Sequence, residues 1–242
     1  MKTSTKLVYQ YDSYLRELEA TLTRLQGGCL LFFDSTIFHP RSGGVDHDKG
    51  FIVVGGEKVD IVEVFIDKES GEVVHRASRG VDIQPGSRVK MVLDWDRRYR
   101  LMRLHTATHI LSAVMYTEYG ALISGGNVTQ EYAYDDYTLE RFEREMFIEA
   151  ISKANEIIKR DLEVKIYWLP REQALKIPGI TKLAHRAPPD VEELRIVEIP
   201  GVDVQADGGP HVKRTSEIGE IVFLKAENKG KNRKRVYFTV KP

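Results

Sequence analysis

Residues 94–115 read DWDRRYRLMRLHTATHILSAVM, and this stretch divides the chain into two parts of different character. Leu101, Leu104, Leu111 and Met115 recur at intervals of three, four or seven residues, which is the spacing of one face of an α-helix. We therefore predict a helix here and place a domain boundary near Asp96.

The residues before this helix are typical of β-structure. From residue 29 to residue 94, short runs rich in branched side chains alternate with turn-like segments such as GGEK, DKESG and QPGS. Several short strands this close together predict a small barrel or a sandwich. The stretch before them, YDSYLRELEATLTRL (residues 11–25), allows a lead-in helix or strand.

The residues after the helix predict a mixture of helix and sheet. Thr138 is expected to cap a long amphipathic helix that lies across a sheet. Strands are expected in EVKIYWL, LRIVEI, EIVFLKAE and RVYFTV, the last two joined by a turn through Asn228, Lys229 and Gly230. The apolar side of the predicted helix carries Leu139, Phe142, Met146, Ile151, Ala154, Ile157 and Ile158.

Composition limits the possible function classes. A chain of 242 residues with 42% hydrophobic and 30% charged residues is neither disordered, collagen-like nor a disulfide scaffold. Thirty-six basic residues balance thirty-six acidic ones, so a nucleic-acid partner would have to meet a local basic patch. The single cysteine, Cys29, is interpreted as a buried strand thiol. No signal peptide or membrane span is apparent, which predicts a cytoplasmic protein without a membrane partner.

The motif HTATH carries the strongest chemical signal. His105 and His109 are four residues apart, so on a helix both imidazoles leave the same face and can meet one ion. Two packed core histidines are the alternative interpretation. Thr106 stands where the HExxH metalloproteases have their glutamate, which argues against a protease of that class. His39, His47, His75 and His185 have no partner at ligand spacing, so we expect surface or packing roles for them.

A second four-residue spacing lies in the loop sequence VDVQADGGPHV. Asp207 and His211 are both competent zinc ligands. With His105 and His109 they complete a tetrahedral site of three nitrogens and one oxygen, or they supply three ligands and leave one position open. The alternative for Asp207 is a turn-stabilising role before the two glycines, although that would leave His211 unexplained.

Three segments together resemble a known family. RLMRLHTATHILSAVM (residues 100–115), DGGPHVKRTSEIG (207–219) and STIFHPRSGGVDHDKG (35–50) are similar to the editing domain of alanyl-tRNA synthetase and its freestanding AlaX-type relatives. The resemblance implies an α+β fold, in which a small N-terminal β-barrel (residues 1–96) precedes an α+β editing domain (97–242) with helices packed on a mainly antiparallel sheet. It also implies one Zn²⁺ per chain and a hydrolase that removes serine, or glycine, mistakenly attached to tRNA(Ala).

Three positions depart from the family pattern. Asp207 stands where the family usually has cysteine, and a carboxylate in place of a thiolate should weaken zinc binding or let other divalent ions compete. Pro210 replaces the usual threonine and removes a hydroxyl and a backbone donor. Val45 replaces the glutamine of the Gly-rich segment, so an amide that relatives present to the substrate is missing here.

The remaining candidate residues follow from the same resemblance. Thr106 and Thr108 are the hydroxyls nearest the presumed ligands, and they either contact the substrate or bond back along their helix. Gly43 and Gly44 lie in a loop that is either a phosphate cradle or a hairpin connection. The expected tRNA-binding residues are these two glycines and the exposed basic turn of Lys229, Lys231, Arg233, Lys234 and Arg235.

Two other functions stay open at this point. The first is a tRNA-binding module with a structural metal, although structural zinc sites usually hold several thiolates and this one offers none. The second is a metal-dependent esterase that does not act on tRNA. In the editing reaction itself, the ion would either activate a water molecule or hold the amine or hydroxyl of the amino acid. The oligomeric state is open.

Overall fold

The computed structural model describes residues 5–180, 184 and 190–242, so His185 lies outside the described residues. The chain divides into two compact units between Arg100 and Leu101. This boundary lies inside the predicted helix, α1 (Trp95–Tyr119). No helix among the described residues is long and apolar enough to cross a membrane.

The first unit contains a closed antiparallel barrel, which confirms the predicted barrel and excludes the sandwich. Six strands follow one another around it in the order β2, β3, β7, β6, β5, β8. A short parallel pair, β1 with β4, lies outside the barrel. The strands of this unit are β1 (Lys6–Leu7), β2 (Glu17–Gln26), β3 (Leu30–Phe33), β4 (Ser35–Thr36), β5 (Gly50–Val54), β6 (Glu57–Ile66), β7 (Val73–Ala77) and β8 (Arg88–Leu93).

Alternation of side chains across each strand fills the barrel core. On β6, Val59 and Ile61 are buried two residues apart, as a pleated strand requires. The next buried residue, Val64, follows three positions later because the pairing with β7 shifts register between Ile61 and Glu63. The barrel interior is therefore built from branched side chains on both sides of a bulge.

The lead-in segment is strand rather than helix. Ala20 and Leu22 on β2 are buried, so the strand period dominates over the helix-like spacing that also runs through this stretch. Cys29 lies in the turn before β3 and is half-buried, so the interpretation as a buried strand thiol was wrong. The preceding Gly27 and Gly28 take positive φ angles, which is the reason that the chain turns at this point.

The Gly-rich segment contains a two-residue hairpin turn. The backbone groups of Ser42 and Val45 donate to each other at 3.2 and 2.9 Å, and Gly43 and Gly44 between them have φ angles of 59° and 84°. The Val45 side chain is buried. The residue that replaces the family's glutamine is thus part of the hydrophobic core.

A buried ion pair joins this segment to the first turn of α1. Arg98 and Asp48 have no exposed side-chain surface, and Arg98 Nε donates to both carboxylate oxygens at 3.0 and 3.1 Å. Asp48 also accepts from the backbone N–H of His39, and Arg98 donates to the carbonyl of Ser13. Because every charge in this network is paired and hydrogen-bonded, removal of one partner would leave an uncompensated buried charge.

The second unit is α+β, as predicted. Its sheets are antiparallel, with four strands in the order β14, β15, β10, β9 and three in the order β11, β12, β13. The strands and helices of this unit, apart from α1, are β9 (Ile123–Val128), β10 (Ala133–Tyr137), α2 (Arg144–Lys159), β11 (Lys165–Pro170), α3 (Arg171–Ala174), β12 (Glu193–Ile199), β13 (Asp203–Ala206), β14 (Glu220–Asn228) and β15 (Lys234–Lys241).

The long amphipathic helix begins later than the sequence predicted. Thr138 does not cap it, because the Thr138 backbone and hydroxyl bond to Leu122 instead, and α2 starts at Arg144. As predicted, α2 lies against the sheet: the Asn155 amide donates to the Ile221 carbonyl and accepts from the Ile221 N–H on β14. Its buried face consists of Phe147, Ala150, Ile151, Ala154 and Ile158.

The histidines outside the HTATH and DGGPH motifs have packing roles where the structure describes them. His39, His47 and His75 are all buried. His75 donates from Nδ1 to the carbonyl of Leu31 at 3.3 Å and accepts at Nε2 from the Thr36 hydroxyl at 2.7 Å. Burial lowers the pKa of His75 to about 4.

We predict that His75 makes the stability of the protein depend on pH. Its pKa is lower in the folded chain than the usual 6.5, so the unfolded chain binds the extra proton first and stability falls as pH drops from 6.5 towards 4. When the pH falls from 7 to 5, protonation of this residue in the unfolded chain should lower the free energy of unfolding by about 2 kcal/mol. Urea unfolding of wild type and His75→Gln at both pH values measures it. An equal loss in the two proteins would contradict the prediction.

Candidate metal centre

The two predicted ligand pairs come together in the second unit. His105, His109, Asp207 and His211 each offer a ligand atom, and these atoms lie within 4.8 Å of one another. The two histidines of HTATH lie on consecutive turns of α1, and the other pair lies in the loop after β13. The three imidazole centroids are 4.1 to 5.2 Å apart. Atoms this close can bind one ion with small side-chain adjustments.

The hydrogen bonds of the Nδ1 atoms fix the tautomers of the first two histidines. His105 Nδ1 lies 3.3 Å from the carbonyl oxygen of Pro210, which can only accept, so this nitrogen carries the proton. His109 Nδ1 donates to Oδ2 of Asp203 at 2.9 Å. In both rings the other nitrogen, Nε2, is left with its lone pair available to a metal.

The third histidine is oriented by a threonine of the HTATH motif. The Thr106 hydroxyl donates to the carbonyl of Met102 at 2.9 Å, so it accepts from His211 Nδ1 at 3.0 Å. It also accepts from the backbone N–H of Val212 at 3.3 Å. All three histidines therefore hold their protons on Nδ1, directed at a protein acceptor, and present Nε2 as the ligand atom.

The loop that carries Asp207 lies very close to the His105 ring. The Gly209 N–H donates to Asp207 Oδ1 at 2.7 Å, and a Cβ at Gly209 would lie only 2.6 Å from Cε1 of His105. The buried guanidinium of Arg195 donates to the carbonyls of Asp207 and Gly209 at 2.8 and 3.0 Å. Only a glycine fits beside the His105 ring, and Arg195 holds the loop in this position.

The arrangement fits a divalent cation. Asp207 Oδ1 lies 3.1 Å from His211 Nε2, and Oδ2 lies 3.6 Å from His105 Nε2. With the tautomers fixed as above, these atoms are acceptors that face one another, a contact that is favourable only with a cation or a proton between them. The donor set of three imidazoles and one carboxylate suits zinc, without a thiolate.

The protonation states also suit a metal. Burial of the His211 ring lowers its pKa well below the usual 6.5. Burial acts to raise the pKa of Asp207, but its neighbours His105 and His211 bring that pKa well below 3.8. At neutral pH, His211 is therefore neutral and Asp207 is ionised, as metal ligands must be.

The two threonines of the motif differ in their contacts. Thr108 donates its hydroxyl back to the carbonyl of His105 at 2.7 Å, so it makes the bond along its own helix that was one of its two predicted roles. The hydroxyl of Thr106 makes one donor contact and two acceptor contacts within the protein. We interpret Thr106 as the residue that positions His211.

The basic turn is less exposed than the sequence suggested. Lys229, Lys231 and Arg233 are exposed at the turn between β14 and β15. Lys234 is buried, and its ammonium donates to the carbonyls of Gly230 and Lys231 at 2.6 and 2.9 Å. Arg235 is half-buried in an ion pair with Asp136. The prediction that all five cations are exposed was wrong for Lys234 and Arg235. The Lys234 ammonium binds carbonyls of the turn, and the Arg235 guanidinium binds a carboxylate of the neighbouring strand.

Sequence reasoning missed two buried carboxyl groups in this unit. Asp203 lies two residues before Gln205 and four before Asp207, so the alternation of a strand could have placed it on the side of the ligands. Asp135 lies on β10, and burial raises its pKa to about 7, against the lowering effect of the hydrogen bond from the Tyr137 hydroxyl. No motif pointed to Asp135, since only burial gives it this property.

Known proteins share a large part of this sequence. Residues 194–237 match the family described as the threonyl and alanyl tRNA synthetase second additional domain. The chain is 53% identical over 239 residues to the alanyl-tRNA editing protein AlaX-M of Saccharolobus solfataricus, which covers 98% of this chain and 100% of the relative. It is 38% identical over 242 residues to AlaX-M of Methanosarcina mazei, covering 98% and 96% of the two chains.

Similarity extends to a larger enzyme. The chain is 38% identical over 226 residues to the alanine–tRNA ligase of Staphylothermus marinus. That match covers 92% of this chain and 24% of the ligase. The chain thus resembles one segment of the ligase over nearly all of its own length.

We predict that replacement of the Thr106 hydroxyl weakens metal binding. Thr106→Val keeps the shape of the side chain but removes the acceptor for the Nδ1 proton of His211, and loss of such a partner costs roughly 10- to 100-fold in metal affinity. Thr108→Val is the matched control, because that hydroxyl bonds only to the helix backbone of His105. Competition with a chromophoric zinc chelator measures both. Equal affinities would refute the positioning role.

Proposed function

The chain belongs to the alanyl-tRNA editing proteins of the AlaX-M type, and from this membership we propose that it is a deacylase for mischarged tRNA(Ala). Its substrates are Ser-tRNA(Ala) and Gly-tRNA(Ala), in which the wrong amino acid is esterified to the ribose of the 3′ end. The observation that carries the proposal is that ligand atoms of three histidines and one carboxylate lie within 4.8 Å of one another. In this proposal residues 97–242 form the deacylase domain, and residues 1–96 form the accompanying barrel domain.

The ligands of the proposed ion are His105, His109, Asp207 and His211, and the ion is Zn²⁺, one per chain. When bound, it supplies charge that polarises an ester carbonyl or a water molecule. The donor set supports an open, functional site rather than a structural one, since structural zinc sites rely on thiolates. Asp207 in place of the family's cysteine exchanges a soft thiolate ligand for a hard carboxylate ligand, so other divalent ions compete better with zinc here.

The protein's own residues prepare this site before substrate arrives. Asp203, Thr106 and the Pro210 carbonyl hold the three Nδ1 protons, so each ring is locked in one tautomer and one orientation. Arg195 and Gly209 hold the loop of Asp207 close to the helix. Aminoacyl esters are activated, so positioning of the ester and stabilisation of its oxyanion suffice for hydrolysis without a covalent nucleophile.

Rejection of alanine is the demanding part of this function. Serine differs from alanine by one hydroxyl, and a site that binds that hydroxyl can discriminate by several orders of magnitude. The hydroxyls of Thr106 and Thr108 are committed to protein acceptors. We therefore assign recognition of the serine hydroxyl to the metal centre itself, where a bound ion would take the hydroxyl as a further ligand beside those of the protein.

Two rival functions give different results in the same assays. A tRNA-binding module with a structural metal would bind tRNA(Ala) but would not hydrolyse the ester. A metal-dependent esterase unrelated to tRNA would hydrolyse small esters, without the salt dependence that phosphate contacts produce. The absence of thiolates among the four converging residues favours the deacylase over the first rival.

We predict that the protein releases serine, and also glycine, from separately charged tRNA(Ala) and spares Ala-tRNA(Ala). The His105→Ala, His109→Ala double variant should lose turnover at least 100-fold, because two of the four ligands are gone, and chelator should have the same effect on wild type. Release of labelled amino acid is the measurement. Full activity in the double variant would exclude the metal-dependent mechanism, and equal rates on Ser- and Ala-tRNA(Ala) would exclude editing.

We also predict that the exposed part of the basic turn binds tRNA phosphates. Charge reversal of Lys229, Lys231 and Arg233 together should weaken binding, and the slope of log K against log salt should fall by about one for each phosphate that the variant no longer neutralises. The buried Lys234 is left unchanged to preserve the turn. Reversal of three exposed cations elsewhere in the unit, Lys159, Arg160 and Lys165, is the control. An unchanged slope in the first variant would assign the turn to solubility alone.

A further inference from the structure

The outer face of the four-stranded sheet carries a cluster of rings and cations that the proposed chemistry does not use. Tyr134 on β10 and Tyr237 on β15 are paired across the strands, with ring centroids 5.4 Å apart. Tyr132, next to β10, lies 5.9 Å from Tyr237 and is 37% exposed. We name this cluster, together with Lys225 and Arg235, the aromatic face.

The cations of the aromatic face alternate with its rings. The Arg235 guanidinium lies 3.7 Å from the ring centroid of Tyr134, and the Lys225 ammonium lies 4.4 Å from that of Tyr237. Asp136 holds the guanidinium in place by accepting from Nε and Nη2 at 2.7 and 2.8 Å. The face is therefore ordered in the free protein and binds without a large loss of side-chain entropy.

The other side of the same strands faces the hydrophobic core. Val236, Phe238 and Val240 on β15 are buried, and they alternate with Arg235 and Tyr237. Packing of the core therefore explains the apolar residues of this strand but not the tyrosines on its outer side. Cross-strand ring pairs stabilise a sheet by less than about 1 kcal/mol each, so stability alone is a weak reason for three of them.

We propose that the aromatic face binds unpaired nucleotides at the 3′ end of the tRNA. Flat rings and guanidinium planes are the surfaces on which unpaired bases stack. The two cations of the face are paired with carboxylates, Arg235 with Asp136 and Lys225 with Glu227, so stacking rather than net charge carries the binding on the face itself. A duplex does not present its base faces, so this surface selects a single-stranded segment. The exposed cations Lys229, Lys231 and Arg233 continue from it at the end of the β14–β15 hairpin, which adds complementary charge for the same strand.

The choice of the 3′ end rests on the proposed function. The ester that the site hydrolyses is carried by the unpaired end of the tRNA, and the metal centre lies in the same compact unit as the aromatic face. Other single-stranded regions of a tRNA offer the same stacking chemistry, so the choice between them is left to the experiment. The experiment therefore compares tRNA(Ala) with a form that ends at its last base pair.

The test uses the full chain and uncharged RNA, so its result does not depend on ester hydrolysis. Tyr134→Leu and Tyr237→Leu should each weaken binding of intact tRNA(Ala) about 10-fold, since stacking contributes about 1–3 kcal/mol per base. Tyr134→Phe and Tyr237→Phe keep the rings and should bind like wild type. Tyr116→Leu, at an exposed tyrosine of α1, is the control for a change of surface composition.

The shortened tRNA decides where the bases come from. Wild type should bind it less tightly than intact tRNA, and the leucine variants should show no further loss. Their salt slope should match wild type, because no charge is removed. Unchanged affinity of folded leucine variants for intact tRNA would overturn the proposal, and so would an equal loss on both RNAs. Absence of deacylase activity with these binding results intact would refute the proposed function alone.

Discussion

The candidate site depends on where three imidazole protons are held. Each ring must present Nε2 inward, and this happens only if Nδ1 has a fixed acceptor on its other side. The acceptors are Asp203, the Pro210 carbonyl and the Thr106 hydroxyl, so a strand, a loop and a helix each contribute one. The hydroxyl of Thr106 can accept from His211 because it donates to Met102 within the same helix.

The surrounding fold holds the histidines and their hydrogen-bond acceptors in place. Helix α1 is buried along residues 101–115 except at the half-buried Arg103, so its histidines are held by packing. The loop after β13 approaches the helix at Gly209, where no side chain would fit, and Arg195 fastens it through two carbonyls. In the first unit, a comparable buried network, centred on Arg98 and Asp48, secures the Gly-rich segment. Each unit thus uses buried charge to fix a loop that is short of regular structure.

Much of the site could be predicted from the sequence alone, because its spacing is local. The intervals from His105 to His109 and from Asp207 to His211 were enough to propose a ligand set, and the tertiary structure brings all four together. The β-structure of the first unit, as a barrel or a sandwich, the α+β second unit and most strands also follow from local periodicity. By contrast, Thr138 was misassigned as a cap because it bonds to Leu122, which lies 16 positions earlier and outside the helix pattern.

Only the tertiary structure determined the properties that arise from contacts between distant segments. Asp203 and Thr106 became orienting residues only once the chain had brought His109 and His211 beside them. Lys234 belonged to a basic run in the sequence, yet folding buried its charge against turn carbonyls. The spacing of residues along a helix or loop can be read from the sequence alone. Burial, and the identity of the acceptor for each proton, depend on residues up to about a hundred positions away, and they are determined only by the folded structure.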